Sequence, residues 1–190
     1  MGLNTAVIYG SVRRERQGIK AAKFLVNKLE ERGHEVTLVD PLEYPHPLLD
    51  LRYREYDDGT APEPMQQVAA ILSAADGFVV VSGEYNHGAP PALKNLLDHY
   101  GGFYERKPGG MVTYSAGPFA GAHVRAPLRA TLSAIGMATI PAVFGISKVG
   151  DSFDSDGQAV DTAYERRVVK FLDEYEWYAD ALRAARAAGK

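Results

Sequence analysis

The chain has 190 residues, of which 46% are hydrophobic and 24% charged, and its formal net charge is −3. A chain of this length is most simply one domain with one core, so we expect a single domain over residues 1–190. The slightly acidic balance argues against a nucleic-acid partner, which would call for a basic excess. No apolar run approaches the roughly 20 residues that cross a bilayer, and no basic segment followed by a long apolar stretch predicts a secretory signal.

The sequence contains no cysteine. Disulfides, thiolate nucleophiles, iron–sulfur ligation and zinc–thiolate sites are therefore excluded. Any redox chemistry must be carried by a borrowed cofactor. We expect a cytoplasmic protein, because the lack of cysteine fits a reducing compartment.

Short apolar runs alternate along the chain with segments of helical periodicity. The runs predicted as strands are Thr5–Tyr9, Glu35–Val39, Gly77–Val81, Met111–Tyr114 and Ala138–Val143. The helices are predicted from Ile19 to Arg32, over Met65–Ala74, Pro90–His99 and Ala122–Ile135, and from about Thr162 onward. Strands that are apolar throughout and alternate with helices indicate a parallel sheet covered on both faces. Five strands favour an α/β flavodoxin-like three-layer sandwich with strand order 2-1-3-4-5.

Residues 40–64 have no periodicity of their own and are rich in proline and tyrosine. We interpret this segment as a surface excursion or a lid.

In an open α/β sheet, ligands bind beyond the carboxyl ends of the strands, where the strand order reverses. Three loops leave the carboxyl ends of strands one, three and four in the predicted sheet. They are Gly10–Gly18, Ser82–Ala89 and Ser115–Gly121. Each is richer in glycine and polar residues than a plain connection requires.

The first loop contains neither the G-x-G-x-x-G fingerprint nor a Walker loop. It offers a hydroxyl, three guanidinium groups and an amide just before a helix N-terminus, on Ser11, Arg13, Arg14, Arg16 and Gln17. Positive side chains are unfavourable at a positive helix end unless an anion is present, so the loop predicts a phosphate site. The alternative is a solvated basic loop that Glu15 partly neutralises.

The middle loop combines Gly83 and Gly88 with Pro90 and Pro91, which favour the first turn of the next helix. We expect the backbone N–H groups of residues 84–86 to face outward and Tyr85 to supply an aromatic surface. Such a loop suits a flat heterocycle with polar edges. The alternative is an ordinary tight turn in which Tyr85 serves for packing.

The third loop pairs Gly117 and Gly121 with Ser115. A nucleophile elbow requires G-x-S-x-G, and Thr113 occupies the first glycine position, so that motif is absent. We therefore interpret Ser115 as a hydrogen-bond donor.

The sequence predicts no metal site. Residues 152–163 fail the calcium-loop pattern, because Ala163 stands where the bidentate acid is needed. The histidines lack zinc-ligand spacing, and His34 and His99 are interpreted as helix-end residues. His87 and His123 fall in or beside the predicted site, and whether they contact a ligand stays open.

Several of these residues together resemble one enzyme family. Three motifs are similar to those of the NADPH-dependent FMN reductase family. They are Gly10-Ser11-x-Arg13, the triplet Glu84-Tyr85-Asn86 followed by Pro90 or Pro91, Leu93-Lys94-Asn95 and Asp98, and Ser115-x-Gly117 with Gly121. That family includes quinone, chromate and azo-dye reductases on a flavodoxin-like fold. The similarity extends over roughly residues 4–145, and the middle motif with its helix is its most specific part.

The resemblance implies FMN as cofactor and a site made of three groups of residues. The phosphate would be held by Ser11, Arg13, Arg16, Gln17 and Gly18. The ribityl chain and isoalloxazine would be lined by Gly83, Glu84, Tyr85, Asn86 and His87. The other edge would be closed by Ser115, Gly117 and Gly121.

The sequence departs from the family pattern in three places. Gly83 stands where a proline usually precedes the acidic-Tyr-Asn triplet. Residues 15–18 replace the Ser-Asn that often follows the arginine of the first loop, and Pro118 and Phe119 interrupt the glycine-rich third loop.

The implied reaction is ping-pong hydride transfer from NADPH or NADH to flavin N5 and then to a quinone or another small-molecule electron acceptor. In that mechanism no side chain is a catalytic acid or nucleophile, because the flavin carries the chemistry. We also expect a homodimer or homotetramer. An FMN-binding electron carrier without nicotinamide activity is the alternative, and a flavin-free binding module is a third hypothesis.

Overall fold

A computed structural model describes residues 2–189. Its sheet has five parallel strands in the order β2-β1-β3-β4-β5, which confirms the predicted order. The strands are β1 Asn4–Tyr9, β2 Glu35–Val39, β3 Gly77–Gly83, β4 Pro108–Tyr114 and β5 Ala138–Ile146. The three central strands are apolar and buried, as expected of a sheet that is covered on both faces.

Helices cover both faces of the sheet. They are α1 Gly18–Glu31, α2 Glu63–Ala74, α3 Pro91–His99, α4 Arg125–Ala134, the single turn α5 Val149–Ser152 and α6 Ala163–Ala187. One buried cluster joins the sheet to α1 and α6, and a second joins it to α2, α3 and α4. In the described part of the chain, no helix is long and apolar enough to cross a membrane.

Several element boundaries differ from the prediction, and β4, for example, begins at Pro108, three residues before its predicted start at Met111. Strand β5 continues to Ile146, three residues beyond its predicted end, and pairs there with β4 although Gly145 lowers strand propensity. Helix α4 begins at Arg125 and not at Ala122. Ala122 and Arg125 donate their N–H groups to carbonyls three residues back, those of Phe119 and Ala122, so this stretch forms tight turns and not α-helix.

The segment between β2 and α2 is irregular apart from a 3₁₀ turn at Tyr53–Glu55. Asn95 of α3 holds it at two points, accepting the N–H of Leu49 at 2.9 Å and donating to the carbonyl of Pro47 at 2.7 Å. The Tyr53 ring packs against that of Tyr100 at 5.8 Å. The predicted surface excursion is therefore confirmed, and it lies against α3.

Candidate active site

A cavity of about 310 Å³ opens at the carboxyl edge of the sheet, within the usual range for ligand pockets of about 300–1,000 Å³. Its lining includes nine of the predicted site residues, namely Ser11, Arg13, Arg16, Gln17, Gly18, Gly83, Glu84, Tyr85 and Ser115. The structure therefore brings the three predicted loops together around one space. Four predicted residues lie outside the lining, namely Asn86, His87, Gly117 and Gly121.

The lining also contains residues that the sequence did not assign to the site, namely Glu15, Tyr114, Ala116 and Val149. Val149 begins α5, just after β5, so a fourth strand end contributes to the site. The N–H of Val149 donates to the carbonyl of Ser115 at 3.2 Å, which ties this connection to the third loop.

A larger cleft of about 620 Å³ lies elsewhere, between the 40–64 segment and the connections that precede β4 and β5. It is lined by residues such as Arg52, Gly101 and Gly136. These connections lead into the amino ends of the strands, which is the edge where open α/β sheets do not bind their ligands. The smaller cavity is therefore the candidate site.

The ring of Tyr114 lies against the glycines at two edges of the cavity. A Cβ atom built on Gly18 would lie 2.1 Å from the ring, and one on Gly83 would lie 2.9 Å from it. The Tyr114 hydroxyl donates to that of Tyr9 at 3.4 Å. Burial raises the pKa of Tyr114 well above its ordinary value, so the hydroxyl stays protonated and neutral. The ring thus leaves no room for a side chain at position 83.

The first loop presents the N-terminus of α1 to the cavity. Gln17 is the N-cap residue, its side chain makes no capping hydrogen bond, and the first turn carries no acidic residue. The first N–H groups of a helix have no partner within the helix and attract anions. Arg13 is exposed beside this end, with its guanidinium 6.0 Å from the centre of the Tyr85 ring.

Ser11 is buried and connects the first loop to the middle loop. Its Oγ lies 2.7 Å from the Tyr85 hydroxyl and accepts the N–H of Arg13 at 3.3 Å. The hydroxyl of Tyr85 therefore reaches across the cavity edge to the loop that carries the predicted phosphate ligands.

The Arg16 side chain has a partner that the sequence did not reveal. It forms an ion pair with the buried carboxylate of Asp40, at the end of β2, and donates to the carbonyl of Ser11 at 3.1 Å. Arg16 lines the cavity, but the charge of Asp40 balances its own and its NH1 group is already engaged.

The middle loop is a two-residue hairpin turn. Tyr85 and Gly88 exchange backbone hydrogen bonds at 2.9 and 3.0 Å, and the two residues between them, Asn86 and His87, have φ values of 49° and 67°. Positive φ at both central residues is the requirement of a type I′ turn. The N–H of Glu84 is also taken, by the carbonyl of Tyr114 at 3.2 Å. The expectation that the amides of Glu84 and Tyr85 face outward is therefore wrong.

The third loop is closed by its own hydrogen bonds. Ser115 donates its hydroxyl to the carbonyl of Gly117 at 2.9 Å, and the same carbonyl accepts the N–H of Lys148 at 3.0 Å. Gly121 adopts φ +65°, and a Cβ there would lie 3.0 Å from backbone atoms of Tyr114. Gly117 and Gly121 thus shape the loop from outside the cavity.

Glu84 and His123 connect the middle loop to the third loop. The carboxylate accepts the backbone N–H of His123 at 3.0 Å, and the imidazole Nδ1 lies 3.1 Å from its other oxygen. Burial acts to raise the pKa of Glu84, but the hydrogen bonds and charge of His123 outweigh it and lower that pKa. Glu84 is therefore ionised at neutral pH.

Comparisons with known proteins agree on one family. The profile of the family described as NADPH-dependent FMN reductase matches residues 3–151. A 2-hydroxy-1,4-benzoquinone reductase of Burkholderia sp. is 26% identical over 196 residues, covering 95% of this chain and 98% of that protein.

Solved structures of other oxidoreductases show the same fold. FerB of Paracoccus denitrificans, a flavoenzyme NAD(P)H:(acceptor) oxidoreductase, superposes with a TM-score of 0.69 at 23% identity, over 96% of this chain and 98% of its own. An oxidoreductase of Corynebacterium diphtheriae reaches a TM-score of 0.70 at 14% identity, over 95% and 99%.

Proposed function

Because the chain belongs to the NADPH-dependent FMN reductase family, we propose that it catalyses ping-pong electron transfer from a reduced nicotinamide to a quinone or another small acceptor. The chain is an NAD(P)H-dependent oxidoreductase with FMN as cofactor. Bound FMN would supply the chemistry by taking a hydride at N5 and passing it on. Over one cycle NAD(P)H and a proton are consumed, NAD(P)⁺ is released, and the quinone gains two electrons and two protons.

A quinone is the proposed acceptor because the Burkholderia relative, which is named for reduction of a benzoquinone, matches almost the whole of both chains. In a ping-pong reaction the acceptor follows the nicotinamide at the same face of the flavin, so a quinone would stack on the bound ring and not on the inner lining of the cavity.

The uncapped N-terminus of α1 is the observation that carries the proposal. It lines the cavity together with Ser11, Arg13 and Gln17. Helix N–H groups, a hydroxyl, an amide and a guanidinium are the donors that a phosphate monoester requires. These residues, with Gly18, would hold the FMN phosphate. Arg16 would hold the loop in place through Asp40 and add positive charge.

The remaining lining would hold the flavin ring. Gly83, Glu84 and Tyr85 form one edge of the cavity and Ser115 another. The turn residues Asn86 and His87 extend the first edge outside the present lining, and Gly117 and Gly121 support the second from behind. Together these residues would orient the flavin and nicotinamide rings and keep water from the reacting face. Positioning of this kind accounts for much of enzymatic rate enhancement.

Anaerobic mixing of the FMN-loaded protein with NADPH, and separately with NADH, tests the proposal. We expect the visible flavin absorbance to bleach and to return when a benzoquinone is added. No bleaching with either nicotinamide would contradict the reductase and favour an electron carrier. Bleaching without recovery on addition of quinone would contradict the proposed acceptor.

We also propose that the protein is a homodimer or homotetramer. The segment between β2 and α2 exposes three leucines, Leu42, Leu48 and Leu51, at 51%, 86% and 43% of their surface. Apolar side chains gathered on one segment are typical of a protein contact. Sedimentation velocity at micromolar concentration should show an oligomer, and a monomer would contradict this proposal.

A further inference from the structure

Three side chains with metal-ligating atoms meet at the outer rim of the cavity. Glu84 and His87 come from the middle loop, and His123 comes from the end of the connection into α4. One ligand atom from each lies within 4.8 Å of the other two. The two imidazole rings are stacked, with centroids 4.2 Å apart and an angle of 10° between their planes.

These distances are close to those of a loaded metal site. Metal–ligand bonds of about 2.0–2.2 Å place tetrahedral ligand atoms about 3.4 Å apart. The ligand atoms must therefore approach by no more than about 1.4 Å. His87 and His123 are exposed, so rotation of their side chains meets little resistance from packing.

The backbone directs two of the three groups toward each other. His87 is the second central residue of the type I′ turn, with φ +67°, which fixes its Cβ direction relative to Glu84. The backbone N–H of His123 holds one oxygen of the Glu84 carboxylate at 3.0 Å. A hydrogen bond to the distal oxygen of a ligating carboxylate is the usual second-shell support of a metal site.

We propose that Glu84, His87 and His123 form a binding site for a divalent transition ion of the zinc type. Two imidazole nitrogens and one carboxylate oxygen are a ligand set that Zn²⁺ and its neighbours in the first row accept. The ion joins the middle loop to the third loop. Because both histidines face solvent, its remaining coordination positions are open, as in zinc sites that bind water or a substrate in the fourth position.

The second histidine pair of the protein is unsuited to the same role. The His46 and His99 rings lie 5.2 Å apart, but both nitrogens of His46 have partners, the carbonyl of Tyr44 and the hydroxyl of Tyr100. Nδ1 of His99 donates to the carbonyl of Asn95 at 2.7 Å, and the ring is buried. This pair provides a control.

Calorimetric titration of the FMN-loaded, untagged protein with Zn²⁺ alone tests the site. We expect one equivalent to bind. The variants His87→Asn, His123→Gln and Glu84→Gln should each bind Zn²⁺ at least about tenfold more weakly, since even outer-shell changes weaken metal sites by that factor. Asn tolerates the left-handed backbone at position 87, so that variant keeps the turn. His46→Gln removes a histidine outside the cluster and should bind Zn²⁺ as the wild type does.

Circular dichroism spectra of the variants separate loss of a ligand from loss of the fold, and Glu84→Gln preserves the shape of the side chain it replaces. Absence of Zn²⁺ binding to the wild type would overturn the proposal. Folded cluster variants that bind as tightly as the wild type, or loss of binding in His46→Gln alone, would also overturn it.

Discussion

Arg13 and Arg16 lie three residues apart on one loop, but the structure gives their charges different surroundings. Arg16 is paired with Asp40, whereas the guanidinium of Arg13 lies over the Tyr85 ring at the exposed lip of the cavity, with no ion pair to the residues that the structure describes. Of the two, Arg13 has the charge that is available to a ligand.

Arg13→Ala should weaken FMN binding roughly 10- to 100-fold, because it removes a charge-assisted donor worth about 1.5–3 kcal/mol. Quenching of flavin fluorescence on titration measures the affinity. Riboflavin, which lacks the phosphate, should bind the variant and the wild type equally.

Arg14→Ala is the matched control for this substitution. Arg14 is exposed on the same loop but does not line the cavity, so its removal should leave FMN affinity within about threefold, as is usual for surface substitutions. Equal losses in the two variants would mean that the loop attracts FMN by its overall charge and not through Arg13.

Residue patterns in the sequence indicated the donors of the first loop but did not indicate the contacts between distant segments. The hydroxyl, guanidinium and amide before α1 follow from neighbouring positions in the sequence. The pairing of Arg16 with Asp40 spans 24 positions, and the group formed by Glu84, His87 and His123 joins two loops. Motif spacing relates only residues that are close in the sequence. It therefore cannot predict contacts that the sheet topology creates between distant segments.

At the scale of elements, α1, β3 and β4 approach each other where Tyr114 meets Gly18 and Gly83. The Tyr114 ring contacts Gly18 of α1 and Gly83 of β3, and it stacks on the Tyr9 ring with 6.4 Å between centroids. The ring therefore has little room to move. An added methyl group must therefore displace the helix or the ring.

Gly18→Ala should lower the free energy of unfolding by about 1–3 kcal/mol, the usual cost of overpacking a core. Gly117→Ala is the control, because a Cβ at that position meets no atom within 4 Å. Urea unfolding of both variants measures the difference. If Gly18→Ala is as stable as the wild type, the close approach of Tyr114 to α1 is not a constraint on the fold.

The segment before α2 is held to α3 chiefly by Asn95, whose amide bonds the backbone at Pro47 and Leu49. Asn95→Ala should speed amide hydrogen exchange in residues 46–53 and cost about 1–2 kcal/mol of stability. Lys94→Ala removes an exposed pair with Asp98 on the same helix and should change stability by less than about 1 kcal/mol. Unchanged exchange in Asn95→Ala would show that apolar packing, and not this amide, holds the segment.

Elements were predicted well where an apolar run or helical period was long, and less well at their ends. Helix α3 begins at Pro91, one residue after its predicted start, and β2 has its predicted bounds. The late start of α4 depends on the tight turns over residues 119–125, which no residue pattern predicts.

At the scale of the whole molecule, the strand order followed from the number and apolar character of the strands. Five apolar strands that alternate with helices leave few parallel topologies, and the reversal of order beside β1 predicts the edge at which a ligand binds. The relative size of the two cavities, 620 and 310 Å³, depends on how the segment before α2 packs. No residue pattern in the sequence predicts that packing. The cytoplasmic location and the oligomer stay predictions.

The most direct test of the central claim is a crystal structure of the protein grown with excess FMN. We predict the phosphate at the N-terminus of α1, within hydrogen-bonding distance of Arg13 and Ser11, and the ring between the middle and third loops beside Glu84 and Ser115. FMN bound in the 620 Å³ cleft at the opposite edge of the sheet, or an empty cavity with Tyr85 still bonded to Ser11, would contradict the claim.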